Sequence, residues 1–176
     1  MSHAGVLGRP ACHNGRMDED LQLGLGALAA EYGLLAIYVF GSRAEEVAAR
    51  VAGSPVTARV AGSPTAARVA GSPTAASHPE SDVDIGMEPR RERVLSAQDR
   101  VRIVQRLETL LGAPRVDLVI LPEAEAFLAA DVVRGELLLA TDLDAEAGVQ
   151  LYYLRRAADL APLLREQWRE TVGSEP

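Results

Sequence analysis

The chain contains no lysine: all 18 basic residues are arginine, set against 25 aspartates and glutamates, for a formal net charge of -7. So acidic a balance excludes general nucleic-acid binding, which relies on a basic surface, and it suits divalent cations instead. Cysteine is nearly absent. Cys12 stands alone, which excludes an intrachain disulfide framework and fits a reducing cytoplasm. Aromatic residues make up 4% of the chain and hydrophobic residues 48%, so the expected core is built mostly from Leu, Val and Ala. Long apolar runs are missing as well. The longest strongly apolar run, "LLAIYVF" at 34–40, is far too short to cross a bilayer. The first 16 residues lack the apolar stretch of a signal peptide. The expectation is a cytoplasmic protein with no membrane segment, and 176 residues fit one domain of usual size.

What the chain does have is a repeat. "RVAGSPVTA", "RVAGSPTAA" and "RVAGSPTAA" follow one another at 50–58, 59–67 and 68–76. The nine-residue period matches no standard solenoid. Each unit carries a Gly-Ser-Pro breaker and little apolar bulk, too little to offset the entropy of ordering it. Residues 50–76 are therefore read as a low-complexity insertion in a surface loop, where added length costs little free energy.

The remainder alternates between helical and strand patterns. Residues 1–16 are expected to be a disordered tail, and 18–32 a helix weakened by Gly24 and Gly26. Strands are expected at 34–40, 82–87 and 115–121, with a fourth, edge strand at 135–141. A helix should begin within 42–49. Another should be capped by Ser96 and Asp99, with Val101, Val104, Leu107 and Leu111 on one face and a stop at "GAP", 112–114. From Ala145 to about Glu170 the pattern is again helical, kinked or broken at Pro162. Strands interleaved with helices indicate an α/β or α+β layer fold, a small mixed sheet flanked by helices.

Chemistry concentrates in "SDVDIGM", 81–87. Residues two apart on a strand share a face, so Asp82 and Asp84 point one way while Val83 and Ile85 point into the core. Two carboxylates that close repel unless positive charge lies between them. A hard divalent cation, Mg²⁺ or Mn²⁺, is the simplest partner. The other reading is that these two acids merely sit on a solvated strand face. Asp117 interrupts the apolar run "RVDLVIL" and could lie beside them, or be a satisfied buried or edge acid. Three such carboxylates on neighbouring strands can hold two metals about 3.5–4 Å apart, the arrangement used for in-line phosphoryl transfer. In "VFGSRAEE", 39–46, a buried strand ends at Gly41-Ser42 where a helix begins. Backbone N–H groups there favour phosphate oxygens. Gly41 admits close approach, Ser42 adds a donor, and Arg43 is within reach of a phosphate. An ordinary N-cap serine accounts for the same turn. "RRER", 90–93, reads as a solvated loop, with a contact to nucleotide or partner as the other reading. His78 reads as a loop histidine. His3, Cys12 and His13 lack metal-site spacing.

Together "YVFGSRA", "SDVDIGM" and "RVDLVIL" resemble the DNA polymerase beta superfamily of nucleotidyltransferases, and within it the small minimal nucleotidyltransferases (MNT). The likeness covers roughly 20–49 and 77–170, taking in "VVRGELLLATD" and "YYLRRAADLAPLLREQW". Between Ser42 and Asp82 lie 39 residues, and removing the three repeat units leaves 12, close to the family's spacing. The domain is thus drawn as 17–144, interrupted by 50–76, followed by a C-terminal helical segment at 145–172.

The resemblance implies a polymerase-beta-like fold. It implies that Gly41 and Ser42, with Arg43, hold the nucleotide triphosphate, and that Asp82, Asp84 and Asp117 bind Mg²⁺ or Mn²⁺. Asp117 would also help deprotonate the attacking hydroxyl. It implies transfer of AMP from ATP onto a partner protein, a HEPN-domain ribonuclease toxin for which this chain is the antitoxin. Transfer to a small hydroxylated molecule such as an aminoglycoside, and toxin binding without catalysis, are the alternatives. The apolar stripe Leu151, Leu154, Leu160, Leu163, Leu164 and Trp168 is expected to pack on the chain's own sheet, a partner groove being the other reading.

Overall fold

The computed structural model describes residues 14–52 and 82–172, with side chains for 19–52 and 82–166. The repeat beyond Ala52, the tail before Asn14, His78 and the side chain of Trp168 lie outside them.

Helix α1 (Asn14–Tyr32) leads into β1 (Leu34–Phe40), and a 3-10 turn (Gly41–Arg43) leads into α2 (Ala44–Val51). β2 (Val83–Pro89), α3 (Ala97–Leu111) and β3 (Val116–Ile120) follow. α4 (Ala126–Val133), β4 (Glu136–Ala140) and α5 (Leu143–Val172) complete the order. The four strands form one mixed sheet in the order β3-β2-β1-β4. β1 runs antiparallel to both its neighbours, and β2 pairs with β3 in parallel through the α3 crossover.

β1 is central and covered on both faces, which is why its sequence is an unbroken apolar run. Ile37 and Val39 join Val83, Ile85, Met87, Val116 and Ile120 in a core against α1, α2 and α3. Ala36 and Tyr38 face the other way, onto Leu121, Ala129, Val132, Val133 and Tyr153. Gly86 has no side chain because Val132 occupies the space a Cβ would take, so α4 lies directly on β2.

Local signals act as expected in several places. The Ser96 side chain accepts from the Asp99 backbone N–H, and Asp99 accepts in return from the Ser96 N–H. Gly112 ends α3 in the left-handed conformation. Gly24 marks a close approach, because a Cβ there would overlap Leu110 of α3.

Five readings change. α1 begins at Asn14, four residues before the expected start. Val101 is exposed on α3 while Ile103 is buried with Leu107 and Leu111. α5 is one 30-residue helix that continues through Pro162. Pro162 cannot donate to the Ala158 carbonyl, but Ala158 is exposed and solvent can serve it. Arg50 and Val51, the first two residues of the repeat, are the last two of α2. Val51 is buried and Arg50 donates to the Leu111 carbonyl at 2.9 Å. Of the apolar stripe on α5, Leu154 packs against the sheet-side core, but most of the stripe does not. Leu151, Leu160, Leu163 and Leu164 are exposed, while Tyr153 and Ala157 make the contact.

Candidate active site

β2 carries Asp84, Gly86 and Glu88 on the face turned to α4 and α5, with Asp82 just before its first residue. Glu88 lies under α5, where the Tyr153 hydroxyl donates to it at 3.0 Å. Asp82 and Asp84 stand at the opposite end of the strand. Asp84 is opposite Phe40 in β1 and level with Asp117 in β3. The parallel register fixes this, because pairing Val83 with Val116 brings the next two residues, both aspartates, side by side. The Val83 N–H donates to the Arg115 carbonyl at 3.1 Å, which extends the alignment back to Asp82 and Arg115.

Four charged residues therefore form a two-by-two array: Asp82 and Asp84 on one strand, Arg115 and Asp117 on the other. Arg115 Nε lies 3.5 Å from Asp82 Oδ2 and 3.4 Å from Asp117 Oδ1. Among the described residues Asp84 has no such partner. Burial first, then the charges of Asp117 and Asp82, raise its pKa above the usual aspartate range. Gly41 abuts this carboxylate. Its φ of +75° is in the left-handed region, and a Cβ at that position would overlap Asp84 Oδ2. The strand-to-helix turn thus closes against the acidic array because residue 41 lacks a side chain.

Ser42 is exposed on the same turn. Arg43 behaves differently. It is buried and grips Glu46 with two guanidinium nitrogens, Nε at 3.2 Å and Nη2 at 2.9 Å, anchoring the turn to the first turn of α2. It pairs within the fold rather than standing open beside the aspartates. "RRER" falls at the far end of β2, where the Arg90 N–H donates to the Gly33 carbonyl and its side chain donates to Thr141. That end of the sheet is remote from Asp84, so the nucleotide-contact reading of Arg90 is withdrawn.

Asp82, Asp84, Asp117, Gly41 and Ser42 thus come together, and Arg115 joins them unforeseen. Its signal was present: position 115 shares a strand face with 117, in a chain whose every cation is arginine. As placed, no three His, Cys, Asp or Glu side chains among the described residues close tightly enough to enclose a metal ion. The donor set nonetheless fits a hard divalent cation. Three carboxylates would supply oxygen ligands, one of them has no ion-pair partner among the described residues and a raised pKa, and a positive group already sits among them.

No family model and no curated protein matches the sequence. Solved structures do match the fold. A chain of a toxin–antitoxin complex crystallised with AMP-PNP superposes with a TM-score of 0.52 at 20% identity, over 84% of this chain and 98% of that one. An MntA–HpeT toxin–antitoxin structure, in a variant with two aspartates two positions apart changed to glutamate, gives 0.51 at 19% identity, over 84% and 98%. This chain shares its fold with those toxin–antitoxin chains. The α+β architecture implied by the motif resemblance is therefore correct. No described helix is long and apolar enough to cross a membrane.

Proposed function

We propose that this chain is a Mg²⁺-dependent nucleotidyltransferase that moves AMP from ATP onto a hydroxyl of a partner protein. One observation carries the reading: the β1-β2-β3 register that gathers Asp82, Asp84 and Asp117 against the Gly41–Ser42 turn. Asp82 and Asp84, with Asp117, would hold a divalent cation. When bound, that ion neutralises charge on the triphosphate and aligns the attacking and leaving oxygens. The Gly41–Ser42 turn offers backbone N–H groups and a hydroxyl to the phosphates. Arg43 positions that turn through Glu46. Asp117, exposed beside Asp84, accepts the proton of the attacking hydroxyl. The hydroxyl oxygen bonds to the α-phosphorus, the bond from that phosphorus to the β-phosphate's bridging oxygen breaks, and pyrophosphate leaves.

The partner in this reading is a HEPN-domain toxin, with the chain as its antitoxin. Support comes from neighbours that are members of toxin–antitoxin complexes, one solved with AMP-PNP. The exposed Leu151, Leu160, Leu163 and Leu164 of α5 favour a second reading, in which the chain restrains its partner by contact alone.

The test supplies purified protein, Mg²⁺ and α-labelled ATP to a lysate of the source cell, with the double change Asp82→Ala, Asp84→Ala as control. A labelled protein band lost in the control is expected. Label only in small molecules points to a small acceptor. Nucleotide binding with no transfer to any acceptor leaves the contact reading.

A further inference from the structure

We infer that Arg115 is a built-in counter-cation of the acidic array, one that competes with the divalent ion and so sets the concentration at which the site loads. The inference rests on the proposed reading that the three aspartates bind a divalent cation.

The argument is geometric. The parallel register leaves Asp82 and Arg115 level with each other and Asp84 and Asp117 level one step along. The guanidinium stands between Asp82 and Asp117, within 3.5 Å of one and 3.4 Å of the other. It therefore sits against two of the three carboxylates a metal would use. The array carries three negative charges and one positive, so Arg115 removes a third of its negative charge. Two consequences follow. With no metal bound, Arg115 relieves repulsion that would otherwise spread the strand ends. For metal to bind with all three carboxylates, the guanidinium must leave Asp82 and Asp117. Its side chain is 66% exposed and ends a long flexible stem, so it can swing into solvent without disturbing the core. Exposure also keeps each ion pair weak, which makes the competition one of degree rather than a block.

Arg115 acts here on the carboxylates and touches no reacting atom. It is a positioning residue, and the test reads metal binding rather than turnover. Full-length wild-type protein and the variants Arg115→Gln and Arg115→Lys are titrated with Mn²⁺ alone, and free Mn²⁺ is followed by electron paramagnetic resonance. Arg115→Gln should bind Mn²⁺ about fivefold more tightly, the effect of losing two exposed ion pairs. Arg115→Lys should return most of the way to wild type. The difference between wild type and Arg115→Gln should shrink as NaCl is raised, because exposed pairs are screened. In EDTA, Arg115→Gln should melt at a lower temperature than wild type, and the gap should close as Mn²⁺ is added.

Equal Mn²⁺ affinity in wild type and Arg115→Gln overturns the inference while leaving the metal site intact. Weaker binding by Arg115→Gln, with Arg115→Lys no better, also overturns it and makes Arg115 a strut that shapes the site. Failure of both wild type and Arg115→Gln to bind Mn²⁺ overturns the inference together with the metal reading.

Discussion

Asp84 and Glu88 stand on the same face of the same strand, four residues apart, and burial raises the pKa of both. Their surroundings differ. Glu88 is covered by α5 and receives the Tyr153 hydroxyl, which pulls its pKa back down. Beyond it Tyr38 donates to Glu146 at 2.7 Å, so two tyrosine–carboxylate pairs fasten α5 to the sheet. Asp84 has instead a glycine at one side, a second aspartate level with it and a third behind. The molecule spends one acid on holding a helix and leaves the other facing like charges. In the proposed reading, this unfavourable cluster at the end of a well-satisfied sheet is shaped for a ligand rather than for stability.

The largest expected effect separates the two acids outright. Asp84→Asn should lower nucleotidyl transfer by at least about 100-fold. It should also raise the melting temperature of the metal-free protein slightly, because one of three repelling charges is gone. Gly41→Ala comes next. The added methyl overlaps the Asp84 carboxylate and the left-handed φ strains any L residue, so roughly 1–2 kcal/mol of stability should go with the activity. Urea titration and the transfer assay check both.

Tyr153→Phe should do the reverse. It leaves Glu88 buried without its donor at a cost of about 1–3 kcal/mol, with transfer intact. The sign of its pH dependence follows from Glu88. A carboxyl raised in the folded state binds its proton more tightly there than when unfolded. Its stabilising contribution is present below the ordinary value of 4.5 and is lost as pH rises through the raised one. Removing Tyr153 raises Glu88 further, so the deficit of Tyr153→Phe should shrink as the solution is acidified. Thermal melts over a pH series read this. The smallest effect is on the metal: its affinity should rise with pH through the titration of Asp84, since only the ionised form ligates.

Much of this was legible in the sequence where a local rule decides the outcome. β1 is an uninterrupted apolar run because both its faces are covered, and its bounds are those expected. The Ser96–Asp99 capping box and the Gly112 stop work through their own backbone bonds. Asp82, Asp84 and Asp117 were readable as acids breaking apolar strands. What could not be read depends on neighbours distant in sequence. α4 was missed because its eight residues, "AFLAADVV", are apolar almost all round and its start has no side-chain cap. Helix and strand are not told apart by periodicity in so short an apolar run. Arg43 was assigned to phosphate on sequence adjacency, yet it forms an ion pair with Glu46, three residues on. Arg115 was passed over because its meaning comes from strand register. Most of the α5 leucines looked like a core stripe, but the core side of that helix is set by Glu146, Tyr153 and Ala157, with Leu154 alone of the stripe's leucines packed beside them.

The central claim is that the uncovered end of β2 performs chemistry and the covered end does not. The direct measurement is the single-turnover rate of AMP transfer from α-labelled ATP to the identified acceptor, for Asp84→Asn and Glu88→Gln side by side. A collapse in Asp84→Asn with Glu88→Gln near wild type is the result predicted. Equal rates in the two variants, or a loss confined to Glu88→Gln, would contradict the account.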